Sequence, residues 1–107
     1  MLKIGDKIYE FENERLVRRQ EIIRVTPKSA ITNLGIKLKL EVAKDDYLEV
    51  LNPEKFNTRS FYAETEELKN LFEKKVIIKK ISNFDFTKLD LQYLIEIFEI
   101  IKSNAKI

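Results

Sequence analysis

The side chains that most enzymes use for catalysis near neutral pH are missing from this chain. It contains neither histidine nor cysteine, which removes the usual general base, the thiolate nucleophile and the commonest ligands of zinc. Serine, threonine, tyrosine and lysine are present, but none stands in a motif with an activating partner. We therefore predict a protein that is not an enzyme and has no catalytic residues, no metal site and no cofactor.

Carboxylates are the remaining group that could do chemistry, and they cluster at two places. The first is Asp45-Asp46, and the second comprises Glu64, Glu66 and Glu67. Such oxygens suit hard cations, but neither spacing matches a known ligand loop. Structural roles are the alternative to cation binding. Asp45-Asp46 fits a turn between two strands, and Glu64, Glu66 and Glu67 fit the N-terminus of a helix, where carboxylates stabilise the positive end of the helix dipole. With only two glycines in the chain, a phosphate-cradling loop is excluded.

The net charge of +2 hides an uneven distribution of charge along the chain. Residues 1–44 carry ten Lys/Arg and six Asp/Glu, residues 45–73 carry three and eight, and residues 74–107 carry seven and four. The acidic middle would attract a basic partner, and the N-terminal part is the candidate for an anionic partner.

Six basic residues are the candidates for nucleic-acid binding: Arg18, Arg19, Arg24, Lys28, Lys37 and Lys39. They form a positive strip if the second and fourth strands lie near each other, and Tyr9 or Tyr47 would offer a ring for stacking. The alternative is ordinary solvent cover, because an amphipathic strand needs residues such as Lys37 and Lys39 on its outer face.

The first half of the chain consists of strand patterns separated by turn signals. Residues 7–12, 16–25, 29–32, 36–42 and 47–51 are bounded by Gly, Pro, Asn or Asp, and residues 60–63 offer a short closing strand. Short strands joined by short turns indicate a meander curled into a small barrel. Residues 52–59, with Pro53, form the longest irregular stretch.

Two strands give specific expectations about which residues face the core. In residues 7–12, Tyr9 and Phe11 share one face and Glu10 the other, as in a half-buried strand. In residues 36–42 the apolar alternation predicts a core face of Ile36, Leu38, Leu40 and Val42. Within residues 16–25, the adjacent isoleucines at 22 and 23 predict a β-bulge near residues 21–23, or a strand covered on both faces.

The pattern changes to a helical one at Thr65, a residue suited to cap a helix N-terminus. The helix is expected to continue through Lys80, although residues 76–81 include a β-branched run that also fits a strand. A last helix is predicted from Leu91 to about Lys102, after Asp90 as N-cap. One apolar stripe comprises Leu91, Leu94, Ile95, Phe98 and Ile101, and a second comprises Tyr93, Ile97 and Ile100.

Two apolar stripes exceed what one packing face requires. The second stripe either packs under the barrel, whose open end needs a cover, or forms a protein interface. Our candidates for protein binding are therefore Tyr93, Ile97 and Ile100, together with the acidic residues Glu64, Glu66 and Glu67.

These patterns predict an α+β fold in one domain, residues 1–107: a small antiparallel SH3-like β-barrel of five or six strands in residues 1–63, then two C-terminal helices in residues 64–107. The N-terminus lacks the apolar core of a signal peptide, and no run is long enough to cross a bilayer. We therefore expect a soluble, cytoplasmic protein with no membrane association.

Four stretches in this order, IGDKIYEF, IIRVTPKSAIT, GIKLKLE and FYAETEELK, resemble small uncharacterised proteins of phages and mobile elements. The resemblance covers roughly residues 3–75 and implies an SH3-like barrel followed by helices. It also implies a class of roles, since such accessory proteins often bind a host protein and include inhibitors of bacterial defence systems. No catalytic residue is implied by it.

The interpretation that we favour is a non-enzymatic protein that binds a protein partner, either a second copy or a host protein. The alternative is a nucleic-acid-binding barrel that uses the basic strand surface.

Overall fold

The computed structural model describes residues 1–51 and 58–105, which belong to two compact units, Met1–Lys75 and Val76–Ile107. The strands are β1 Lys7–Glu12, β2 Arg15–Val25, β3 Ala30–Thr32, β4 Lys37–Leu38, β5 Tyr47–Leu48 and β6 Arg59–Ala63. The helices are α1 Glu66–Ser82 and α2 Leu91–Ala105, and short 3₁₀ turns lie at Lys44–Asp46 and Phe86–Lys88. Most of the predicted irregular stretch, residues 52–57, lies outside the described residues.

The six strands form one antiparallel sheet in the order β4-β3-β2-β1-β6-β5. An antiparallel bridge between Leu38 and Val50 joins the two edges, and the backbone amide of Lys39 donates to the carbonyl of Glu49 across the same seam. The sheet is therefore a nearly closed barrel, which removes most of the unpaired edge that an open sheet exposes. The predicted fold class, a small antiparallel barrel followed by two helices, is confirmed.

The irregularity predicted near residues 21–23 is a bulge. The pairing of β2 with β3 shifts register between Ile22 and Arg24, so that Ile22 is fully buried while Ile23 is 53% exposed. The shift also changes which β2 residues face inward, because side chains alternate between the two faces of a strand.

The apolar core fills the barrel interior with one or two side chains from every strand. Its buried members are Leu2, Ile8, Ile22, Ala30, Leu38, Leu48 and Phe61, and Ile36, Leu40, Val50 and Ala63 pack against them. Burying each large side chain stabilises the fold by about 1.5–3 kcal/mol. The predicted core face of residues 36–42 is only partly right. Since β4 ends at Leu38, Val42 is not held over the interior and is 36% exposed.

The expectation that β1 is half-buried, with Glu10 on its open face, is wrong. Glu10 is 1% exposed, and its carboxylate accepts hydrogen bonds from Gln20 Nε2 at 2.5 Å and Arg59 Nη1 at 2.8 Å. Gln20 Oε1 in turn accepts from the hydroxyl of Thr32 at 2.6 Å. One part of the barrel interior is therefore a connected polar network, as a buried charge requires.

The opposite face of β1 is covered as well, by the first part of α1. The ring of Phe72 lies edge-on to Tyr9, with centroids 6.2 Å apart, and the guanidinium of Arg19 lies 4.4 Å from the centroid of Phe72. Lys75 Nζ donates to the carbonyl of Leu16 at 2.5 Å. β1 is thus covered on both faces, and alternation alone cannot show which of its residues are buried.

Both helices begin where the sequence predicts. The backbone amide of Leu68 donates to Thr65 Oγ1 at 3.1 Å, the N-cap hydrogen bond expected of threonine. The segment 76–81, for which helix and strand were both open, is helical as part of α1. In α2 the first backbone hydrogen bonds run from Tyr93 and Leu94 to the carbonyl of Asp90.

Candidate functional site

Helix α2, in the unit Val76–Ile107, carries a group of exposed apolar side chains. Six side chains, which we name the α2 apolar surface, are between 47% and 72% exposed: Leu91, Tyr93, Ile95, Phe98, Ile100 and Ile101. Leu94 and Ile97 are partly buried. At about 3.6 residues per turn, Leu91, Ile95 and Phe98 share one side of α2, and Tyr93 and Ile100 lie on the opposite side. Large exposed apolar surface is a feature of protein interaction sites.

Of the three residues predicted to bind protein on α2, Tyr93 and Ile100 are exposed, at 56% and 63%, while Ile97 is partly buried. The other predicted stripe is exposed too at Leu91, Ile95, Phe98 and Ile101. The exposed apolar surface of α2 therefore extends beyond the second predicted stripe.

The remainder of the same unit adds further apolar exposure. Ile77, Ile78 and Ile81, at the C-terminal end of α1, are 52% to 54% exposed. Phe84, which is 50% exposed, makes an edge contact with Phe86, with ring centroids 5.1 Å apart. The unit Val76–Ile107 thus exposes apolar side chains from α1, from α2 and from their connection.

The acidic candidates lie around the N-terminus of α1. Glu66 and Glu67 are exposed in its first turn, where carboxylates stabilise the positive end of the helix dipole. Glu64 accepts a hydrogen bond of 2.6 Å from the hydroxyl of Tyr9. Burial, with help from this carboxylate, raises the pKa of the Tyr9 phenol above its ordinary value of 10.0, although Arg19 opposes the shift.

The six basic candidates do not form one strip. Arg18 lies 3.3 Å from the buried Glu10 carboxylate, and Arg19 covers the Phe72 ring. Lys39 pairs with Glu49 at 2.6 Å. Arg24 and Lys37 are both register partners of Ile31, and Lys28 is exposed in the turn before β3. Alternation and the register place Arg18 and Arg19 on opposite faces of β2.

A cleft on the outside of the barrel holds residues that sequence reasoning did not select. It is lined by Phe11, Glu14, Ser60, Tyr62 and Leu68 and has a volume of about 300 Å³. The rings of Phe11 and Tyr62 are nearly perpendicular, at 84°, with centroids 5.5 Å apart. The apolar alternation of β1 marked Phe11, but only strand pairing brings it beside β6.

Within residues 1–51 and 58–105, no group of three carboxylates converges to hold a metal ion. In the same part of the chain, neither helix combines the length and apolar character that a bilayer-spanning helix needs.

Comparison with known proteins gives no relative of this chain: no protein-family model, curated protein or solved structure matches it.

Proposed function

We propose that this chain is a protein-binding protein whose C-terminal unit, Val76–Ile107, associates with a second copy through the α2 apolar surface. The observation that carries the proposal is the 47% to 72% exposure of six apolar side chains on one 15-residue helix. Removing such side chains from water is the dominant favourable term in most protein association.

The charges of this unit favour a second copy as its partner. Positions 76–107 carry five lysines and four Asp/Glu, so two copies approach with little net repulsion. On α2, Asp90 precedes the first turn and Lys102 lies in the last. Antiparallel pairing of two α2 helices places each Asp90 near the partner's Lys102, and it also brings opposite ends of the helix dipoles together.

Size-exclusion chromatography with light scattering, over a wide range of protein concentration, tests this function. The wild-type chain is expected to elute at twice its monomer mass of 12.7 kDa. Ile100→Glu is expected to shift the protein to monomer, because it buries a carboxylate in the interface. Since Ile100 is 63% exposed, circular dichroism should show unchanged helix content.

Ser103→Glu is the matched control, because it adds the same charge at the polar edge of the same helix. It is expected to leave the mass unchanged. A wild-type chain that stays monomeric at all concentrations, or an Ile100→Glu variant as dimeric as the wild type, would overturn the proposal.

Nucleic-acid binding is the second candidate function, and one observation favours it: Arg24 and Lys37 are adjacent to Ile31 on neighbouring strands. Fluorescence anisotropy with short single- and double-stranded oligonucleotides at low salt is the test. This function requires binding that weakens with salt and is lost in Arg24→Glu/Lys37→Glu. Lys69→Glu, on an exposed residue of α1, should leave it unchanged. No binding at low salt excludes it.

A further inference from the structure

The cleft lined by Phe11, Glu14, Ser60, Tyr62 and Leu68 brings together two aromatic residues and one acidic residue. Its volume of about 300 Å³ is at the lower end of the range for ligand pockets. That size suits one side chain of a partner rather than a large cofactor.

Four separate elements build this cleft, all within the unit Met1–Lys75. Phe11 of β1 pairs in register with Ser60 of β6, and Tyr62 lies two residues further along β6 on the same face. Glu14 is supplied by the turn between β1 and β2, and Leu68 by the first turns of α1. The positions of the two aromatic walls are therefore set by the pairing of β1 with β6.

The nearly perpendicular rings define which ligand chemistry fits. An aromatic ring carries partial negative charge on its face and partial positive charge at its edge, and Phe11 and Tyr62 meet edge to face at 84°. The ring faces that this contact leaves open carry negative potential. Glu14, exposed in its turn, adds a full negative charge at the edge of the cleft. A cation with an apolar stem satisfies both the rings and the carboxylate.

We propose that this cleft binds a lysine side chain of a protein partner. The methylene stem would pack on Leu68 and the two rings, and the ammonium would lie between the ring faces and Glu14. This site is separate from the α2 apolar surface and does not depend on it.

The sequence segment that supplies two walls of the cleft is acidic, which favours a basic partner. Residues 45–73, which supply β6 and the start of α1, carry eight Asp/Glu and three Lys/Arg. Three of the protein's own cations in this unit have other partners: Arg59 binds Glu10, Arg19 covers Phe72 and Lys75 binds the Leu16 carbonyl. Two more, Arg15 and Lys69, follow the cleft residues Glu14 and Leu68 in the chain. An anionic ligand would meet Glu14, and a neutral apolar one would leave that carboxylate without a role.

NMR titration of the ¹⁵N-labelled full chain tests the site, with the peptide acetyl-Gly-Lys-Gly-amide as the probe. Saturable shifts are expected at the amides of Phe11, Glu14, Ser60, Tyr62 and Leu68. The same peptide with norleucine in place of lysine keeps the apolar stem without the charge, and it should produce no saturable shifts. Sodium chloride at equal ionic strength controls for screening.

Two variants give independent readouts. Tyr62→Leu removes one ring, and Glu14→Gln removes the charge at an exposed turn without affecting the sheet. Each is expected to weaken lysine-peptide binding about two- to fivefold, as for a cation–π contact or an ion pair near the surface. Lys3→Gln, outside the cleft, should leave the affinity unchanged.

Three outcomes would overturn the inference. The first is the absence of saturable shifts with the lysine peptide, and the second is equal binding of the norleucine peptide, which would show a purely apolar cleft. The third is binding of tetramethylammonium without binding of the lysine peptide, which would show a site for free small cations rather than for a side chain.

Discussion

The carboxylate of Glu10, on β1, lies 2.8 Å from the guanidinium of Arg59, on β6, although the two residues are 49 positions apart in sequence. Glu10 is 1% exposed, and the Arg59 side chain is 33% exposed. The cation thus lies at the boundary with solvent while the anion lies inside the barrel. This arrangement lets one strand carry a buried charge, because Gln20, Arg18 and Arg59 together satisfy the carboxylate.

Replacing Glu10 by alanine should destabilise the barrel strongly. The change leaves Gln20 without an acceptor and opens a cavity, and breaking a buried ion pair costs about 3–5 kcal/mol. Since Arg18 and Arg59 can regain water, we expect a loss of about 3 kcal/mol in the free energy of unfolding. Urea denaturation measures it. Glu41→Ala, on an exposed residue, should change stability by less than about 0.5 kcal/mol, and equal losses in the two variants would contradict the role of the network.

The phenol of Tyr9 is expected to make the folded protein less stable at alkaline pH. The pKa of its phenol is raised in the folded protein, first by burial and then by the Glu64 carboxylate. The unfolded chain therefore releases this proton more readily. The resulting stabilisation is fully present below the unfolded pKa of 10.0 and is lost as the pH rises through the folded pKa.

Comparing thermal unfolding of wild type and Tyr9→Phe between pH 7 and pH 11 tests this dependence. At pH 7 the variant should lose about 1–2 kcal/mol, because it lacks the hydrogen bond to Glu64. It should lose less stability than the wild type on going to pH 11, since it has no phenol to ionise. Parallel pH profiles would show that Tyr9 does not contribute to the alkaline loss.

The hydroxyl of Thr65 is expected to stabilise the N-terminus of α1. Its hydroxyl accepts a hydrogen bond from the Leu68 amide at 3.1 Å, and losing an N-cap of this kind costs about 1 kcal/mol. Thr65→Ala should lower the free energy of unfolding by that amount, whereas Thr65→Ser keeps the acceptor and should stay close to the wild type. If serine and alanine destabilise equally, the hydroxyl does not act as the cap.

Replacing Glu14 by glycine is expected to stabilise the fold and, at the same time, to weaken binding at the cleft. Asn13 and Glu14 have φ values of 49° and 68°, so the turn between β1 and β2 holds both in the left-handed region, which glycine adopts without strain. Glu14→Gly should raise the free energy of unfolding by about 1 kcal/mol. The same change should weaken lysine-peptide binding to the cleft, measured by NMR titration.

Glu14→Ala separates the two effects, because it removes the carboxylate but keeps a side chain at positive φ. It should weaken binding as much as glycine does without the gain in stability. A glycine variant that binds the lysine peptide as tightly as the wild type would show that the carboxylate is not used.

Local patterns predicted the elements of this fold well where a cap, a turn or a break in alternation acts within a few residues. The threonine cap at residue 65, the turn at residues 13–14 and the bulge at residues 22–24 all follow from such short-range features. The long second strand and the last helix were likewise predicted from residues within their own segments.

The extent and exposure of these elements were less predictable. The alternation of residues 36–42 predicted one long strand, but pairing with β3 and with the segment around Val50 supports only Lys37–Leu38. Similarly, two apolar stripes on α2 predicted a need for cover, and the structure leaves most of both exposed.

The sequence by itself determined an α+β chain with a small barrel, two helices and no histidine or cysteine chemistry, because composition and short-range periodicity are properties of the chain. Tertiary structure alone decided that Glu10 is buried, that Arg18 meets its carboxylate while Arg19 covers Phe72, and that Phe11 meets Tyr62. These facts depend on strand register and on what covers each face, and both are set by pairing between residues far apart in sequence.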